Sequence, residues 1–172
     1  MGQYFIFVNE TKQEYIHPHK LASGLKFWEI LASPVATRAL CFLLRKSNEG
    51  GGGDIDTTGK KWVGRWAGDS ISIVGDYDET DTYQKCMDSS ELADHNKWLI
   101  EQDRKDETLT KADLFKDITD KMLPEYNAFI DIDEYQVDIK SDGWRETVKG
   151  RHTETTPAMK PDMIISVKKG TS

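Results

Sequence analysis

Residues 3–9 read Gln-Tyr-Phe-Ile-Phe-Val-Asn. In an extended chain Tyr4, Ile6 and Val8 share one side, and Phe5 and Phe7 share the other. Apolar side chains on both faces predict an inner strand of a sheet. The polar run from Asn9 to Lys12 predicts a turn, and residues 13–17 predict a return strand that Pro18 ends. Ser23 is a candidate cap for a helix carrying Leu25, Trp28 and Leu31 at spacing three. Ser33-Pro34 is a stronger start, with a capping hydroxyl followed by proline at the first helical position. The helix it predicts, residues 35–46, presents Val35, Ala39, Leu40, Phe42, Leu43 and Leu44, and ends on the basic pair Arg45-Lys46.

Residues 47–60 are a Gly-rich loop centred on the run Gly50 to Gly53. Residues 61–67 and 70–74 predict two strands around a Gly68-Asp69 turn, with Trp62 and Trp66 on one face of the first. Residues 79–110 form an acidic, insertion-like segment in which Ser89 or Ser90 caps a helix bearing Leu92, His95, Trp98 and Leu99. Thr110-Lys-Ala-Asp113 resembles a capping box. It opens a helical pattern through Leu114, Phe115, Ile118 and Met122 that Pro124 kinks or splits. Residues 134–140 alternate, with Tyr135, Val137 and Ile139 on one side, and Ser141 to Trp144 predict a turn. Residues 145–160 show no period and read as a long loop, and residues 163–168 read as a final strand. This order predicts an α+β fold in one domain over residues 1–172, a mostly antiparallel sheet of five to six strands with three to four helices.

Composition supports a packed core. The chain has 172 residues, 37% of them hydrophobic, and its five Trp, six Tyr and six Phe supply large buried area. No apolar run approaches the roughly 18 residues of a membrane span, so no membrane role is expected. The N-terminal apolar stretch is too short for a signal peptide, which makes a cytoplasmic location the expectation. Cys41 lies in an apolar helical pattern and reads as a buried structural thiol. With Cys86 it forms no metal or redox motif.

Charge changes the picture further. Residues 76–120 carry six Lys/Arg against fourteen Asp/Glu, a net of -8 beside -7 for the whole chain. A phosphate-binding protein shows a basic stripe, so this balance speaks against direct nucleic-acid binding. The acidic segment suits a basic protein partner. Its candidate contact residues are Asp78, Glu79, Asp81, Asp88, Glu91 and Asp94. A solvated helical face that aids solubility is the simpler explanation of the same charges.

Catalytic chemistry is less marked. His17 and His19, two residues apart, would point to one side of a strand, a geometry that suits a metal. Asp69 and Asp76 flank a predicted strand and could complete an oxygen-ligand site for a divalent cation. Asp and Gly also dominate turns for conformational reasons alone. Trp62 and Trp66 could stack a ring or base, or could pack in the core. The Gly-rich loop lacks the strand before, the helix after and the Lys-Ser/Thr ending of a phosphate cradle. No Ser-His-Asp elbow or Cys-His nucleophile pattern is present, which weighs against an enzyme. No cofactor is expected, a divalent metal being the alternative.

Five short blocks resemble a family of small, uncharacterised proteins from bacteria and their phages. They are Met1-Gly-Gln-Tyr4, His17-Pro-His19, Gly24-Leu-Lys26, the run from Trp66 to Tyr77, and Lys116-Asp-Ile-Thr119. The fourth block of that series, Trp-Ala-Gly-Asp followed by alternating isoleucines and Gly-Asp-Tyr, is the longest. The match covers less than half of the chain and omits the acidic stretch and the tail. The family has no established activity, so the resemblance implies no catalytic residue. The acidic net charge, the acidic middle segment, the five tryptophans and the lack of a catalytic motif point instead to a small interaction or regulatory protein, in its specific form a phage-encoded inhibitor of a host defence protein acting through an acidic surface. A metal-dependent hydrolase acting on a nucleotide or phosphoester, through His17, His19, Asp69 and Asp76, is the rival. A toxin-neutralising immunity-type protein is a third form of the interaction reading.

Overall fold

A computed structural model describes residues 2–47 and 59–129, together with the strands at 137–139 and 145–147. The first hairpin forms as its pattern predicts. β1 (Phe5–Asn9) pairs antiparallel with β2 (Glu14–Ile16), with Phe7 opposite Ile16. α1 (Phe27–Ala32) and α2 (Pro34–Leu44) follow, then β3 (Ile71–Gly75). α3 (Ser89–Glu101), β4 (Lys116–Asp117) and α4 (Thr119–Phe129) continue the chain, and β5 (Val137–Ile139) pairs antiparallel with β6 (Arg145–Thr147). The fold is α+β. Among the described residues, its main sheet has four strands in the order β3-β1-β2-β4 and is mixed, because β4 runs parallel to β2. β1 is an inner strand, as its two apolar faces require.

Residues directly opposite in the ladders share a face. Phe7, Ile16 and Ile71 lie on one side, packed with α2, Trp66, Met122 and Tyr126. Ile6, Val8, Tyr15 and Val74 lie on the other, covered by Tyr83, Cys86 and Phe115. The acidic segment therefore closes the second face of the sheet. Leu92 and Leu99 anchor α3 from within it.

Ser33 caps α2 as its sequence predicts, its Oγ accepting from Ala36 N at 3.3 Å. Four local expectations are corrected. Ser23 does not cap α1: its Oγ donates to Gly24 O, and the helix begins after Lys26. The buried side chain of α1 is therefore Ile30, while Trp28 and Leu31 are exposed. Cys41 is exposed, because the turn of α2 that carries it faces away from Ala39 and Leu43. Thr110 and Asp113 close a local turn and open no helix, since residues 116–117 are drawn into the sheet. Asp117 Oδ1 accepts from Thr119 N at 2.9 Å just before α4, and α4 runs through Pro124.

The fourth correction concerns residues 61–67, which form successive turns rather than a strand. Gly64 N donates to Phe42 O and Trp66 N to Leu43 O, both at 2.9 Å, so this segment satisfies carbonyls at the end of α2. The N–H groups of Lys61, Trp62 and Val63 all donate to the Glu125 carboxylate on α4. With its donors taken by a helix end and a carboxylate, the segment has none left for a ladder. Residues 145–147, expected in a loop, are extended in β6. The Gly-rich stretch over 48–58, the turn at 141–144 and the strand expected at 163–168 lie outside the described residues. Among those described, no helix is long and apolar enough to cross a membrane.

Candidate interaction groove

The four proposed metal ligands do not assemble. Asp69 and Asp76 sit beyond opposite ends of β3, about 20 Å apart along an extended chain. Asp69 accepts from Asn9 Nδ2 at 2.8 Å and pairs with Lys12, contacts that hold its carboxyl below the usual carboxylate range. Asp76 Oδ1 accepts from Tyr4 N at 3.0 Å and ties the ends of β1 and β3 together. His17 ends the β2 side of the sheet, and His19 stands beside it with the ring centres 6.4 Å apart. Among the described residues, no group of three or more His, Cys, Asp or Glu side chains could hold a metal ion.

His17 instead lines a small cavity of about 150 Å³ with Ile6, Tyr83, Cys86 and Glu91. Its Nδ1 is buried with no hydrogen-bond partner among the described residues. Burial pushes its pKa down to about 4. Burial likewise pushes the Cys86 thiol up, and its Sγ donates to Thr82 O at 3.4 Å. Both groups are neutral near pH 7, the reverse of the charged pair that a Cys-His nucleophile needs.

Trp62 and Trp66 are both buried in the core. Trp66 Nε1 donates to Glu14 Oε2 at 3.1 Å, and the Arg65 guanidinium lies 5.0 Å from the Trp62 ring centre. These rings are structural anchors of the turns over 61–67. An exposed aromatic with polar company lies elsewhere, at Trp98.

Trp98 is 48% exposed on α3. The His95 ring stacks on it at 6.1 Å, and the Arg104 guanidinium lies 5.7 Å from its centre. Arg104 Nε also donates to Glu107 at 2.8 Å, so its charge is already engaged. This geometry has local causes. Asp88 caps α3 by accepting from Ser90 N and Glu91 N, and Glu91 returns a bond to Asp88 N. At the other end Asp103 adopts φ +63, and Arg104 N donates back to Leu99 O at 2.9 Å. Asn96 then latches the returning chain, donating to Leu109 O at 2.7 Å and accepting from Leu109 N at 3.0 Å.

The result is a groove of about 480 Å³ with Trp98 and Leu99 in it. Among the described residues, its charged walls are Asp78, Glu79, Asp81, Asp106 and Glu107 against Arg104. Of the six acidic residues expected to meet a partner, the fold thus brings three together at this groove. Asp88 and Glu91 are committed to the helix cap, and Asp94 is exposed on α3. Trp98 was not singled out as a site residue from the sequence, where its spacing with Leu92 and Leu99 marks it as core. Its signal is that it lies one position off the Leu92–Leu99 line. No protein-family model, curated protein or solved structure matches the chain.

Proposed function

We propose that this chain is a small interaction or regulatory protein that acts in the cytoplasm by docking a basic protein surface on the Trp98 groove. The observation that carries this reading is a half-exposed tryptophan set among five carboxylates whose single arginine neighbour is already paired. Tryptophan is a preferred energetic anchor of protein interfaces. The surrounding carboxylates steer a basic partner and disfavour an acidic one. The acidic lining of the groove supports a narrower form, inhibition of a host protein whose basic face otherwise holds nucleic acid.

The test is capture from bacterial lysate on the immobilised chain at low and high salt, with Trp98→Ala and the Asp78→Asn/Asp81→Asn double variant alongside. A stoichiometric partner is expected with the parent chain at low salt, depleted at high salt and by either variant. Recovery of no stoichiometric partner at either salt overturns the proposal. So does a partner that all three chains retain equally.

A further inference from the structure

The main sheet has two edges, and they are built differently. β4 is two residues long, and both, Lys116 and Asp117, are charged. β3 is five residues long, Ile-Ser-Ile-Val-Gly, with neither charge nor proline. Short charged edges discourage strand pairing, whereas a longer uncharged edge presents an open row of N–H and C=O groups. Among the described residues, no strand pairs with β3 on the side away from β1.

The direction of those groups follows from the ladder. Glu10 N donates to Ser70 O at 3.0 Å, and Asp76 N donates to Tyr4 O at 2.9 Å. Antiparallel pairs alternate between bonded and non-bonded positions. Ser72 and Val74, in step with these two, turn their backbone groups toward Val8 and Ile6. The backbone groups of Ile71 and Ile73 and the N–H of Gly75 therefore face outward, while Gly75 O accepts from Asp78 N at 3.0 Å and closes the row.

A cavity of about 570 Å³ lies along this edge. It is lined by Ser72 and Val74, which belong to one sheet face, and by Ile73 and Gly75, which belong to the other. A cavity touching four consecutive residues of alternating direction wraps the outer edge. Its charged lining residues are Glu10, Asp78 and Glu79, all acidic. Asp78 and Glu79 also line the Trp98 groove, so edge and groove form one continuous surface.

We propose that the partner adds an extended segment bearing lysine or arginine as a new strand on the outer edge of β3. Its backbone bonds to Ile71, Ile73 and the Gly75 N–H, and its basic side chains meet Glu10, Asp78 and Glu79. Main-chain bonds supply the affinity in this mode of recognition and alternate side chains supply the specificity. The inference rests on the reading that the chain binds a basic protein, and it names the partner's conformation and the strand that receives it.

The probe is an eight-residue peptide alternating valine and lysine, added to the whole chain at low salt. Two copies, N-methylated on the valines or on the lysines, keep the side chains and remove alternate donors. Binding is expected for the parent peptide, with slowed amide exchange at Ile71, Ile73 and Gly75. One N-methylated copy is expected to bind about tenfold more weakly or worse, while the other stays close to the parent. A valine-glutamate peptide is expected not to bind. Absence of binding by the valine-lysine peptide overturns the inference. Equal binding by all three lysine peptides, with a Trp98 fluorescence change and no protection in β3, also overturns it. That second outcome leaves the groove reading standing, because the peptide has then bound through charge and Trp98 alone.

Discussion

Arg65 holds Glu14 by two nitrogens: its Nε lies 2.9 Å from Glu14 Oε2, and its Nη2 lies 2.5 Å from Oε1. Glu14 belongs to β2 and is only 4% exposed, so the pair fastens the turns over 61–67 to the sheet. Burial works against the Glu14 charge, but Arg65 and the Trp66 indole N–H more than offset it. The carboxyl pKa is therefore lowered. Glu14→Gln keeps the shape, removes the charge and strands Arg65. It is expected to cost about 2 kcal/mol in urea unfolding at pH 7. Adding Arg65→Met is expected to cost less than the sum of the two single changes.

Gly64 and Gly68 both have positive φ, +71 and +86, but only one is crowded. A Cβ at Gly64 would lie 2.2 Å from Arg45 O, whereas one at Gly68 would meet nothing within 4 Å. Gly68→Ala is expected to cost about 1 kcal/mol, the backbone penalty alone. Gly64→Ala is expected to cost clearly more and to disturb the bonds that residues 64 and 66 give to α2. Parallel urea melts check the order, and equal costs would contradict it.

His17 gives the stability a specific pH dependence. Its folded pKa is about 4 and its ordinary value is 6.5, so between these values the unfolded chain binds more protons. Stability should therefore fall as pH drops from 6.5 toward 4, by up to about 3 kcal/mol. Glu14 and Glu125 have pKa values lowered from 4.5, so their contributions hold above that value and are lost further down. Between pH 6.5 and 4.5 those carboxylate contributions hold, so the difference between the parent and His17→Gln reports His17. Melting temperatures of the parent and His17→Gln across that window provide the measurement, and the variant should show the smaller slope.

Trp98 separates binding from stability. Its ring is half exposed, so Trp98→Ala is expected to change unfolding free energy by less than about 1 kcal/mol. Trp66→Ala, which empties a fully buried site, is expected to cost about 3–5 kcal/mol. Denaturant melts of the two variants, read beside partner capture, distinguish a surface anchor from a core residue.

Much of the secondary structure follows from neighbours in sequence. The alternation through Phe5, Ile6, Phe7 and Val8 specifies an inner strand, and Ser33-Pro34 specifies a helix start, because each signal acts within a few residues. Residues 61–67 escape such reasoning. Their donors are taken by Phe42 and Leu43 on α2, more than twenty residues back, and by Glu125, more than sixty residues ahead, so a pattern that suits a strand is overridden by distant acceptors. β4 escapes it too, since two residues become a strand only where β2 offers a ladder to join.

The candidate site divides in the same way. The acidity of residues 76–120 is written in the chain, and it marks the region where Asp78, Glu79 and Asp81 meet Trp98. Which acids line the groove was fixed by folding: Asp88 and Glu91 are consumed by the helix cap, and Asp69 and Asp76 are held at opposite ends of β3. Local pattern reports which side chains are available. The assembled fold allots each one a partner or leaves it open to solvent, because hydrogen-bond and charge pairing depend on distances that sequence separation does not encode.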